Sequence, residues 1–309
     1  MANPAPKPIP ESALASTQDA QQNTTAQGGA LSSAELFRIG RQAEQAGHFD
    51  EALGAYQLAL GGSPDQHPWF YRKGCVLMKL DRCAEAELAF RQALQLASDT
   101  PAYLTNLGVC LDRLGRREEA IQTYRASARR GAGTAVAYHN LGAIFAEEGR
   151  NEEAIRAFEA ALDVDPDAEG WLSLGLVHYG SNDFAEALKC FESSVLCDQD
   201  FARGHYYAAL CLMKTGIYGD ACQRFQLAWR LEPRLARVPY HVGSCLHKLG
   251  RYKEARQSLE QALEFFPEDS RLHYQLALTC DALGLPHEAR PHYSQARANS
   301  NNGRSLDRR

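Results

Sequence analysis

Gly40, Gly74, Gly108 and Gly142 stand 34 residues apart, and after a single one-residue slip the beat resumes at Gly175, Ala209, Gly243 and Ala277. A fixed period of tens of residues restricts a chain to architectures in which one supersecondary unit stacks on the next. All eight positions carry a small residue, most of them after an apolar one, as in Leu107-Gly108 and Val242-Gly243. A small residue at a fixed place in a helical pattern marks a point where another helix must approach closely.

Aligning the chain on this beat brings the remaining positions into register. The unit 33–66 carries Leu36, Ile39, Gly40, Gly47, Phe49, Ala52, Tyr56, Ala59 and Pro64. The unit 202–235 repeats the pattern with His205, Ala208, Ala209, Leu212, Gly216, Tyr218, Ala221, Phe225, Ala228 and Pro233. Apolar residues recur at steps of three and four before and after the middle glycine, which is the period of two amphipathic helices. The middle glycine (Gly47, Gly115, Gly149, Gly216, Gly250, Gly284) suits a left-handed C-cap ending the first helix. The proline near the close of many units (Pro64, Pro166, Pro233, Pro267) stops the second. Aromatics such as Tyr124, Phe158, Phe191 and Phe225 are expected to fill the space between units.

These positions resemble the tetratricopeptide repeat, a helix–turn–helix family of the same period. The resemblance covers eight contiguous units, 33–66, 67–100, 101–134, 135–167, 168–201, 202–235, 236–269 and 270–303. It implies an all-α fold, a right-handed superhelical solenoid of stacked antiparallel helix pairs. Residues 1–32, rich in Pro, Gln and Ser, are expected to be a disordered tail, and 304–309 a short basic one. The last unit departs from the pattern: Pro291 lies inside its second helix and is expected to kink or fray it. That polar helix reads as a terminal cap, or as an end that docks on a partner or another copy. The junction Arg130-Gly131-Ala132-Gly133-Thr134, the deletion after it and Gly180-Ser181 are expected to let the array bend between about 130 and 182.

Nine cysteines include no Cys-x-x-Cys pair, and Cys110, Cys211 and Cys245 share one place in three units. They read as buried thiols in a reducing compartment, with no metal. Cys190 and Cys197 share a helix without further ligands at metal spacing. No apolar run of signal-peptide type and no transmembrane stretch is present, so a cytoplasmic protein is expected. No phosphate loop, zinc pair or nucleophile motif appears, and neither a catalytic residue nor a cofactor is expected. A nucleic-acid ligand is not expected for a chain of net charge −5.

The resemblance further implies that the first helices line a concave groove, with the second, fifth and sixth places of each unit facing it. The early units place Arg38, Arg72, Asn106, Asn140 and Ser173 there. The last three share one pattern: Arg203, Tyr206, Tyr207; Arg237, Tyr240, His241; Arg271, Tyr274, Gln275. Arginine and tyrosine combine large contact area with a polar tip, and a guanidinium row suits the carboxylates of an acidic or C-terminal peptide. The competing reading is that the tyrosines pack against the neighbouring unit and the arginines pair with an acid of the preceding loop, such as Asp200 or Glu232. In similar grooves, asparagines such as Asn106 and Asn140 hydrogen-bond the backbone of an extended peptide. The Lys/Asn clamp by which co-chaperones of this family hold a C-terminal carboxylate is absent: Tyr71 and Cys75 stand where it would precede Asn106, and Thr105 and Val109 where it would precede Asn140.

Residues 1–201 carry a net −11 and residues 202–309 a net +6, an asymmetry that would steer an acidic ligand towards the rear units or favour self-association. The function expected is a non-enzymatic scaffold binding a peptide or helix of a partner protein. A chaperone or assembly factor for a secretion, envelope or metabolic complex is an alternative, as is a regulatory partner of an enzyme such as a glycosyltransferase.

Overall fold

The computed structural model describes residues 31–131, 134–235 and 237–306, with side chains described up to 299 and not at Thr134. The expected tail therefore lies outside the described residues except for Leu31 and Ser32. Among the described residues the chain is all helix and contains no strand. The chain divides into two compact units, 1–133 and 134–309, at the glycine-rich junction.

The first unit holds α1 (Ser33–Gln45), α2 (Phe49–Gly62), α3 (His67–Lys79), α4 (Cys83–Leu96), α5 (Pro101–Arg113) and α6 (Arg117–Ala128). The second holds α7 (Thr134–Glu147), α8 (Asn151–Val164), α9 (Ala168–Gly180), α10 (Phe184–Cys197) and α11 (Ala202–Lys214). It continues with α12 (Tyr218–Leu231), α13 (Val238–Lys248), α14 (Tyr252–Phe265), α15 (Ser270–Ala282) and α16 (Pro286–Leu306). Within each unit every helix packs on the next, and first helices also touch one another, α3 on α5 and, further on, α7 on α9, α9 on α11 and α13 on α15. The odd-numbered helices thus share one face of each unit.

The beat is explained by one recurring contact. A Cβ placed on Gly108 would come within 2.6 Å of the Tyr124 ring, and one on Gly40 within 2.6 Å of Tyr56. The same pairing joins Gly74 to Phe90, Gly142 to Phe158, Gly175 to Phe191 and Gly243 to Leu259, always sixteen residues downstream. These large side chains are buried. The aromatics therefore fill the gap inside a helix pair, against its own small residue, and not only the space between units. Phe191 and Phe225 do both, stacking at 5.4 Å on Tyr207 and at 5.0 Å on His241 of the following pair.

The turn within every pair is the same. Gly47, Gly115, Gly149, Gly216, Gly250 and Gly284 have positive φ, and so do Asp81 (59°) and Asn182 (62°). The residue after each donates its N–H to the carbonyl five residues back, as Arg116 to Leu111 and Asp183 to His178, both at 2.9 Å. This double-capped ending needs a left-handed residue, and Asp and Asn are the non-glycine residues that tolerate it best. The turn at 180–182 is therefore regular, and the expected irregularity there does not exist. Where Arg stands just before the second helix, Glu three residues on receives its guanidinium: Arg82 on Glu85, Arg116 on Glu119, Arg150 on Glu153 and Arg251 on Glu254.

The end of the third pair is the exception. Four second helices close on an extended residue followed by proline, at Ser63, Asp165, Glu232 and Phe266, and two on an extended residue without one, at Ala97 and Asp198. α6 instead closes on helical Arg129 and then Gly131 at φ 94°, next to the boundary between the two units. α16 runs through Pro291 and on to Leu306, past the expected end at 303. A proline early in the helix removes one backbone bond without ending it, and Asn299 Nδ2 ties the helix to the Glu268 carbonyl at 3.1 Å.

Of the cysteines, Cys110, Cys211 and Cys245 are fully buried and burial raises their thiols to about 12. Cys190 is buried whereas Cys197 is exposed, and both are free. The helix-pair contact sets a testable cost. Gly108→Ala is expected to lower stability by about 1–3 kcal/mol through overpacking against Tyr124, and trimming the ring in Gly108→Ala/Tyr124→Leu to recover part of it. Urea unfolding of the three proteins measures this; an unchanged midpoint for Gly108→Ala would show that the ring does not set the helix spacing.

Candidate functional site

The face shared by α9, α11, α13 and α15 collects aromatic side chains in the second unit. Tyr206, Tyr240 and Tyr274 occupy the same place in three successive first helices. Tyr206 is half-buried, edge-on to Tyr207 at 5.1 Å and to Phe225 at 5.7 Å. Its hydroxyl shares a hydrogen bond with His241 Nε2 at 3.4 Å. Tyr240 is half-buried, edge-on to His241 at 5.2 Å. Tyr274 is 51% exposed and edge-on to Tyr293 at 5.9 Å, whose hydroxyl donates to Asp281 at 2.7 Å. Tyr206 and Tyr240 also pack against the buried clusters beneath them, so along this shelf of three register-matched tyrosines exposure rises to Tyr274 on α15.

The sixth-place residues behave differently. Tyr207 and His241 stack on Phe191 and Phe225 of the preceding pair, and Gln275 is only 6% exposed. These three serve the packing between pairs. His241 Nδ1 is buried without a hydrogen-bond partner among the described residues. Burial, then the positive charge of Arg271 and Arg237, lowers the imidazole to about 4, so it is neutral at ordinary pH.

The three arginines are not equivalent. Arg203 meets Glu169 of the preceding pair at 2.7 Å, and Arg271 grips Asp269, the N-cap of its own helix, through Nε and Nη2 at 3.3 and 3.1 Å. Arg237 is exposed and has no ion-pair partner among the described residues. Glu169 lies 34 residues before Arg203, at the matching place of the preceding unit. This pair is not among the sequence expectations; the one-period spacing is the signal that could have found it.

In the first unit, Arg38 is exposed on α1 and Arg72 pairs with Glu44 at 3.4 Å; Glu44 also accepts the Tyr56 hydroxyl at 2.6 Å. Asn106 donates through Nδ2 to the Tyr71 hydroxyl at 2.9 Å, which leaves its Oδ1 as the free end of the amide. Tyr71 and Asn106 hold the places that Tyr206 and His241 hold later, so fifth-to-sixth bonding across pairs recurs. In the second unit Asn140 is half-buried, and beside it His139 Nε2 reaches Ser173 Oγ at 3.2 Å. Two further histidines are structural: the Nε2 atoms of His205 and His273 each donate to a carbonyl six residues back, Gln199 and Pro267, at 2.9 Å. Among the described residues no three His, Cys, Asp or Glu side chains converge to hold a metal, and no helix is long and apolar enough to cross a membrane.

Residues 102–308 match the family model described as the cilia and flagella-associated protein 70 C-terminal domain, and residues 70–100 match a tetratricopeptide repeat model. The chain belongs to this tetratricopeptide-repeat family. No curated protein matches the sequence. Among solved structures, the C-terminal part of a TPR repeat-containing protein from Cytophaga hutchinsonii superposes with a TM-score of 0.66 at 16% identity, over 78% of this chain and 99% of that one. The MamA protein gives 0.53 at 22% identity over 57% of this chain and 96% of its own. A chain of the APC/C hetero-tetramer Cut9–Hcn1 gives 0.51 at 20% identity, over 82% of this chain and 50% of that one. At these identities the likeness is one of fold: the TPR chain is a solenoid of stacked helix pairs, an architecture that indicates protein partners.

The half-buried imidazole of His241 on the TPR face has a consequence for stability. Its folded value of about 4 lies below the ordinary 6.5, so the neutral ring's contribution is complete above pH 6.5 and is lost as pH falls towards 4. Burial lowers His247 and His292 as well, with the same sign. The wild type is expected to lose up to about 3 kcal/mol more than His241→Gln between pH 7 and pH 4. Denaturant unfolding at the two pH values reads this difference, and equal losses would contradict a neutral, half-buried His241.

Proposed function

We propose that the chain is a non-enzymatic scaffold whose first-helix face in the second unit holds a segment of a partner protein. In this reading an acidic or C-terminal carboxylate of the partner pairs with Arg237. The observation that carries it is the contrast among the arginines: Arg203 and Arg271 are each engaged by a carboxylate, whereas Arg237 is exposed and free among the described residues, beside a shelf of tyrosines. Tyrosine and arginine are enriched at binding hot spots because both offer large contact area and a polar end, and tyrosine has only two rotors to freeze. A charge-assisted pair between a guanidinium and a carboxylate supplies orientation.

The family takes its name from a cilia- and flagella-associated protein, and one structural neighbour belongs to a hetero-tetrameric assembly. A role holding components of a larger assembly together fits both names.

Affinity purification from the native cell, with wild-type, Arg237→Ala and Tyr240→Ala baits, tests the reading. Arg237 is exposed, so Arg237→Ala is expected to leave the melting temperature unchanged while reducing the captured partner at least tenfold. Full retention of the partners by both folded variants would remove the face from the function.

A further inference from the structure

The same face restricts the composition of its ligand, an inference that rests on the reading of the face as a peptide site. Two of the three ladder arginines are already neutralised. Arg203 has Glu169 at 2.7 Å, and Arg271 holds Asp269, whose side chain is only 14% exposed and also caps α15 by accepting from the Arg271 N–H at 2.8 Å. A ligand carboxylate at Arg271 would have to share the guanidinium with Asp269 or take the place of Asp269 on it. Arg237 requires no such exchange among the described residues. His241, the neighbouring group, is uncharged at neutral pH and offers a second carboxylate no cation. Among the described residues Arg237 is therefore the one ladder arginine without a carboxylate, placed in register between Tyr206 on α11 and Tyr274 on α15.

The spacing of that pattern follows from chain geometry. Packed helices lie about 8–10 Å apart, and an extended peptide advances about 3.3 Å per residue. α11 reaches α13 through the Tyr206–His241 hydrogen bond and α13 packs on α15, so a segment crossing the three in turn moves about three residues from one tyrosine to the next.

We infer that the ligand is an extended segment with a single acidic residue over Arg237 and large apolar or aromatic residues about three positions to either side, over Tyr206 and Tyr274. A polyacidic tract is the wrong ligand. It would bring two or more further carboxylates against arginines whose charge is already matched, and it would leave the tyrosine shelf uncovered.

Selection of displayed random 12-residue peptides on the full chain tests this, followed by affinity measurement of the enriched peptide and of hexa-aspartate on the variants. The expected consensus has one acid with apolar or aromatic residues about three places before and after it. Its Kd should rise at least tenfold with Arg237→Ala, be largely restored by Arg237→Lys, and change less than threefold with Arg203→Ala. Hexa-aspartate should bind at least tenfold more weakly. Enrichment of polyacidic peptides, with Arg203→Ala and Arg271→Ala costing as much as Arg237→Ala, would overturn the single-anion inference and leave the peptide face standing. Enriched peptides indifferent to both Arg237→Ala and Tyr240→Ala, or no enrichment at all, would overturn the face itself.

Discussion

Each helix pair depends on one contact, a small residue on the first helix under a large ring or leucine on the second. Helices of eleven to fourteen residues, the length of nearly all of these, are marginal on their own, and the pair exists because the two can come close enough to bury that side chain. Removing the small residue's bulk lets the helices approach, and filling the resulting gap with Tyr56, Phe90, Tyr124 or Phe191 restores dense packing. Where the same ring also stacks on the next pair, as Phe191 on Tyr207 and Phe225 on His241, one side chain joins two levels of structure.

Because the contact returns at a fixed interval, the positions that keep the beat are committed to stacking. The places that differ between pairs are free of that demand. On the first-helix face of the second unit those places carry arginine and tyrosine, and internal pairing sorts them further. Glu169 and Asp269 satisfy two arginines, Phe191 and Phe225 claim Tyr207 and His241, and what stays available is Arg237 with the tyrosine shelf. The ladder read from the sequence as three equal rungs has one free cation among the described residues.

The architecture was legible in the sequence because its determinant is periodic and chemically narrow: only glycine or alanine fits under the ring. The turn was legible in six pairs for the same reason. It was missed at Asp81 and Asn182, since a left-handed conformation is permitted to Asp and Asn without being announced by them. The inequality of the arginines lay deeper. Arg203 and Glu169 are one full period apart, so their meeting depends on the stacking of two first helices. Asp269, by contrast, looks from the sequence like a helix cap, and it is one; its second role holding Arg271 comes from side-chain geometry.

The account separates a stacking surface from a binding face, and site-specific photocrosslinking addresses that separation most directly. A benzophenone amino acid placed at Tyr240 on the first-helix face, or at Phe265 on the second-helix face, would be irradiated in the native cell. Both sites reach solvent, Phe265 being 68% exposed. Partner adducts are expected from position 240, and these should disappear when Arg237→Ala is added. Adducts formed at position 265 and absent from 240 would place the partner on the opposite helices and contradict the account.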